Sequence, residues 1–166
     1  MAAQTSTLSL QTVEFDRSDC VRDCISARIA TGADAGGAPH VKVYDDEDAP
    51  LFNFFAYSAS FKGGVRVAMG DVNGDGVADT ITGAGPSAGP HVRVFDGKTG
   101  AEDASFFAFS PSFTGGVYVA TGDVNGDGFD DLIIGAYGAD PNGSLSGSTS
   151  VVFGQASGFA PITDLA

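Results

Sequence analysis

Positive charge is scarce in this sequence: 8 Lys and Arg stand against 21 Asp and Glu, a formal charge of −13. A nucleic-acid partner needs a basic footprint, and docking on an anionic membrane needs basic segments; the chain offers neither. No apolar run approaches the roughly 20 residues of a membrane-spanning helix, so no membrane insertion is expected. Met1 to Ser6 lack the basic and apolar regions of a signal peptide. An exported form would therefore have shed its signal or be part of something longer. No segment of useful length carries apolar residues at the helical period. Cysteine is limited to Cys20 and Cys24, too few soft ligands for zinc. Histidine is limited to His40 and His91, and no Ser or Cys has a base placed to activate it. The chain reads as something other than an enzyme.

What is abundant is glycine, 24 residues spread along the chain, as many turns between short strands require. Two nine-residue stretches stand out. Asp71-Val72-Asn73-Gly74-Asp75-Gly76-Val77-Ala78-Asp79 returns as Asp123-Val124-Asn125-Gly126-Asp127-Gly128-Phe129-Asp130-Asp131. Each places side-chain oxygens at loop positions 1, 3, 5 and 9, with glycines at 4 and 6 for the sharp bend. Ca²⁺ takes six to eight oxygens at roughly 2.3–2.6 Å, and short Asp and Asn side chains on one turn supply most of them. The position-7 carbonyl, of Val77 or Phe129, adds another. A pair of solvated Asp/Gly turns is the plain alternative, and the near-identity of two copies argues against it. An EF-hand is excluded: position 12 is Thr82 or Ile134 rather than Glu, and the flanks are β-branched runs such as Val65-Arg66-Val67 and Leu132-Ile133-Ile134.

The loops belong to an internal repeat of 52 residues. Gly115-Gly116-Val117 follows Gly63-Gly64-Val65, and Phe106-Phe107-Ala108-Phe109 follows Phe54-Phe55-Ala56-Tyr57, at that offset. His91-Val92-Arg93-Val94-Phe95 follows His40-Val41-Lys42-Val43-Tyr44 at 51, which puts a one-residue insertion in the turn near 97–100. In the middle unit the pattern predicts strands near 65–69, 79–83, 91–95 and 105–109. Four short antiparallel strands in a repeat of about 50 residues is the pattern of a β-propeller blade. The fold class expected is therefore all-β: three four-stranded antiparallel blades after a tail at 1–7. Blade 1, degenerate, takes 8–62; blade 2, with an ion loop, 63–114; blade 3, with an ion loop, 115–166. In blade 3, 150–154 reads as the third strand and 161–165 as the fourth.

In blade 1, Leu8 to Phe15 reads as the first strand, and the following loop has Cys20 and Cys24 where ligands would stand. Its ion site is read as lost. A Cys20–Cys24 disulfide and a pair of reduced thiols both remain open there.

These residues resemble the FG-GAP repeat family, also seen in the propellers of integrin α subunits. Asp-x-Asn-x-Asp-Gly-x-x-Asp between two strands is that family's calcium loop, and Ile134-Gly135-Ala136 and Val152-Phe153-Gly154 look like its GAP-side and FG-side segments. The resemblance covers about residues 25–154. It implies two Ca²⁺ per chain. One would be held by Asp71, Asn73, Asp75, Asp79 and the Val77 carbonyl; the other by Asp123, Asn125, Asp127, Asp131 and the Phe129 carbonyl. Asp130 lies off the pattern and reads as solvated.

Three blades do not close a propeller, which typically has four to eight. Either identical chains assemble, a two-chain ring being favoured, or the chain is a fragment completed by further blades. The outer faces are expected to carry apolar residues from 41–44 and 151–153. The function expected is a non-catalytic, extracellular, calcium-binding module for protein interaction, adhesion or scaffolding. A calcium-stabilised lectin is the alternative, with Phe54, Phe55, Tyr57, Phe106, Phe107 and Phe109 lining pockets unless they are core. His40 and His91 stand at matched repeat positions, which favours a structural role, hydrogen-bonded in a turn, over catalysis or metal binding.

Overall fold

The computed structural model describes residues 28–139 and 146–159. These form ten strands: β1 Ile29–Gly32, β2 His40–Tyr44, β3 Pro50–Phe55, β4 Val65–Gly70, β5 Asp79–Ala84, β6 His91–Phe95, β7 Glu102–Phe107, β8 Tyr118–Gly122, β9 Asp131–Ala136 and β10 Ser148–Val152. All pairings are antiparallel between neighbours in sequence, giving sheets ordered β1-β2-β3, β4-β5-β6-β7 and β8-β9-β10. No helix occurs among the described residues. The strands expected at 8–15 and 161–165, and both cysteines, lie outside the described residues. By the repeat offset β1 matches β5 and β9, so among the described residues the first sheet has no counterpart of β4 and the third none of β7.

Each sheet lies against the next. Val41, Val43 and Ala56 of the first sheet pack with Val65 and the half-buried Val67 and Met69 of the second. Ile81, Val92, Val94 and Phe106 of the second pack with Val117, Leu132, Ile134 and Ala136 of the third. The middle sheet thus has a neighbour on each face, which is why all six residues of β5 are buried. Backbone bonds repeat the stacking: Val65 N donates to Ala33 O at 2.9 Å, and Val117 N to Ala84 O at 3.0 Å. Gly64 and Gly116, at the matching bends, have φ of 82° and 79°. A Cβ on either would meet backbone of the preceding unit at 2.7 Å, so both conformation and space call for glycine.

The turn reading holds in detail. Residues 45–49 join β2 to β3, and the one-residue-longer 96–101 joins β6 to β7. Asp45 Oδ1 accepts from the amides of Glu47 and Ala49, and Asp96 Oδ1 from the amide and hydroxyl of Thr99. The Thr99 hydroxyl holds the Asp96 carboxyl below the usual range.

Three expectations need correction. The fourth strand of the middle unit is Glu102–Phe107, not 105–109. A bulge pairs Phe95 with Glu102, so the strand starts directly after the turn, and Ala108 N turns to Pro90 O. The polar start of this strand was masked by the aromatic run that follows it. In the third sheet β10 is Ser148–Val152, because Gly154 N leaves the ladder for the Asp131 side chain. Finally, Val41 and Val43 face inward and are buried; in that strand only Lys42 is exposed, while Tyr44 is half-buried.

Candidate metal centre

Both ion loops join the first and second strands of a sheet: 71–78 between β4 and β5, and 123–130 between β8 and β9. In each, the position-1 carboxylate organises the turn. Asp71 Oδ1 accepts from Gly74 N (2.7 Å) and Asp75 N (3.0 Å), and Oδ2 from Gly76 N (2.8 Å). Asp123 does the same with Gly126, Asp127 and Gly128, at 2.6, 3.2 and 3.0 Å. The Gly128 amide, first among these donors, holds the Asp123 carboxyl below its ordinary range. Asn73 Oδ1 and Asn125 Oδ1 each accept from the position-5 amide, and Asp75 and Asp127 from the position-7 amide. The loop glycines have φ of 74° and 82° in the first copy, 79° and 90° in the second.

The position-9 residues do something the sequence did not announce. Asp79 and Asp131 are fully buried. Asp79 Oδ2 accepts from Val72 N (3.1 Å), and Oδ1 from Gly97 N (2.8 Å), just past the third strand. Asp131 repeats this with Val124 N (2.9 Å) and Gly154 N (3.0 Å). Each of these carboxylates therefore ties the loop to the third strand of its sheet. Burial pushes the Asp79 carboxyl up to about 7, with the Asp75 and Asp71 charges adding; the Gly97 and Val72 amides act the other way.

As the side chains stand, no three acidic, His or Cys groups among the described residues are gathered closely enough to cage an ion. The carboxylate oxygens are turned onto loop amides. The donor set nevertheless suits a hard cation: every side-chain candidate is an Asp or Asn oxygen, on a loop already bent by glycine, and at Asp79 the concentrated negative charge is held out of water. Asp71, Asn73, Asp75, Asp79 and the Val77 carbonyl are the residues that would hold one ion. Asp123, Asn125, Asp127, Asp131 and the Phe129 carbonyl are those that would hold the other.

Asp130 is not solvated as expected. Its Oδ2 accepts from Asp71 N at 2.9 Å and its amide donates to Asp71 O at 2.9 Å, so the second loop is bonded to the start of the first. Lys98 was also passed over. Its ammonium lies 3.1 Å from Asp75 Oδ2 and donates to Asp75 O at 2.9 Å.

The histidines open β2 and β6, and their amides make turn bonds as expected, His40 N to Ala38 O and His91 N to Gly89 O, each at 2.7 Å. His40 bonds Asn53 Oδ1 and His91 bonds Ser105 Oγ, each across to the neighbouring strand, with rings beside Phe55 and Phe107. Of the proposed pocket aromatics, Phe54, Tyr57, Phe106 and Phe109 pack into or against the two cores, Phe107 is half-buried and Phe55 is exposed.

The FG-GAP repeat family model matches residues 115–153, which hold the second loop and all three strands of the third sheet. The chain is also 34% identical over 137 residues to integrin alpha-V of Gallus gallus, a match that takes in 74% of this chain and 12% of that relative. With the loop-bearing antiparallel sheets in hand, the chain belongs to the FG-GAP repeat family and is integrin-alpha-like.

Proposed function

We propose that this chain is a calcium-stabilised, non-catalytic segment of an extracellular β-propeller, used in protein interaction or adhesion. The observation that carries the reading is the pair of equivalent loops whose buried ninth residues, Asp79 and Asp131, also grip the third strand of each sheet. An ion in such a loop neutralises its carboxylates and so locks three strands to one another. The likeness to integrin alpha-V supports the extracellular, adhesive setting.

The three sheets would be blades, within 8–62, 63–114 and 115–166. Their outer faces support a partner. Every large exposed hydrophobic residue among the described ones belongs to the first or third sheet or its loops: Ile29, Leu51 and Phe55, then Tyr118, Val124, Tyr137, Val151 and Phe153. None lies between 56 and 117. The first sheet of one copy covering the third of another is the favoured arrangement; further repeats of a longer chain are the alternative.

Calorimetric titration tests the metal reading. Two Ca²⁺ per chain are expected, and one each after Asp71→Ala or Asp123→Ala. A stoichiometry of one or three for the unaltered chain would refute it.

A further inference from the structure

The two loops are near-identical in sequence but not in surroundings. Lys98 follows Gly97, whose amide is anchored on Asp79, and its ammonium rests on the position-5 residue Asp75, touching both Oδ2 and the backbone carbonyl. In the third sheet Gly154 makes the same anchor on Asp131, so the residue matching Lys98 is Gln155. Its side-chain amide turns away to Gly158 O at 2.9 Å. The position-5 oxygen there, Asp127 Oδ2, instead takes a neutral donor, Asn125 Nδ2, at 2.9 Å. One loop thus carries a fixed positive charge on a carboxylate that would hold the ion, and the other does not.

We propose that Lys98 makes the two calcium loops unequal: it is a built-in cation that calcium must displace at the first loop and does not meet at the second. This rests on the calcium reading of the loops. Two consequences follow from Coulomb's law. Calcium binds the first loop more weakly, because Asp75 is already paired and a positive charge remains nearby after displacement. Without calcium the first loop is the better held, because Lys98 offsets part of the repulsion among Asp71, Asp75 and Asp79. The pair is half-exposed, so the difference in affinity is moderate, about three- to tenfold at low salt, and shrinks as salt rises.

Calcium titration of the full chain, at low and high salt, tests this with Lys98→Gln and Gln155→Lys. An Asp123→Ala background isolates the first loop. Lys98→Gln is expected to tighten the first loop by about three- to tenfold, and Gln155→Lys to weaken the second by a similar factor. Melting in excess chelator gives a second reading: Lys98→Gln lowers the midpoint, although it removes no core contact. Two ions bound with Lys98→Gln unchanged in affinity and in chelator melting would overturn the assignment while leaving the calcium reading intact. An absence of calcium uptake in every variant would overturn both.

Discussion

Tyr57 shows how single residues join one sheet to the next. Its hydroxyl reaches His91 O at 2.9 Å and Thr82 O at 3.1 Å, both on the middle sheet, and burial pushes its ionisation well above the ordinary range. Arg93 answers from the other side, bonding Ala56 O and pairing with Glu102. Tyr57→Phe removes the hydroxyl and its one donated proton from the part-buried His91 and Thr82 carbonyls, so it should cost about 1–2 kcal/mol in urea unfolding. Ile81→Ala, at a fully buried site in the core between the second and third sheets, should cost more, about 3 kcal/mol. Equal, negligible losses for both would mean that the sheets do not depend on these contacts. Tyr57 was read from sequence as one more repeat aromatic. Nothing local distinguishes it from Phe109, its counterpart one repeat later, because the partners of its hydroxyl lie 25 and 34 residues away.

At the scale of the element, the bend of each nine-residue loop was legible because its information is local. Acceptors at alternate positions and glycines at two bends specify the turn whatever surrounds it, and the structure places the amides as that pattern requires. Its anchoring was not legible, since Gly97 and Gly154 carry no side chain to announce a bond made by their amides. The same limit hid the start of β7, whose register depends on a bulge opposite Phe95. The anchoring has a measurable consequence that does not involve metal. In excess chelator, Asp131→Ala should destabilise the chain by about 2–3 kcal/mol, because the buried hydrogen bond from Gly154 N and the part-buried one from Val124 N lose their acceptor. Asp123→Ala, whose carboxylate is exposed, should do less under the same conditions. The reverse order in paired denaturant titrations would show that the ninth position is only a ligand and not a brace.

For the whole molecule, the period of the repeat made the sheet count readable, but which face of each outer sheet is covered was not. Val41 and Val43 read as candidates for an outer face, and only the stacking of the first sheet on the second turns them inward. The apolar residues left outside, with Phe55 52% exposed and Phe153 56%, predict self-association. Light scattering should give a mass near twice 16.7 kDa, falling toward one chain when Phe55 and Val151 are both replaced by Ser. A monodisperse single chain that melts cooperatively would remove the case for self-assembly.

The central claim is that calcium in two loops braces these sheets, and melting followed by circular dichroism with and without excess chelator tests it most directly. An ion that binds only the folded state contributes about 2.7 kcal/mol at a hundred times its dissociation constant. For a chain of this size each kcal/mol moves the midpoint by about 2–4 °C, so removing both ions should lower it by about 10–20 °C, with restoration on adding calcium. A midpoint that stays where it was in excess chelator would contradict the account.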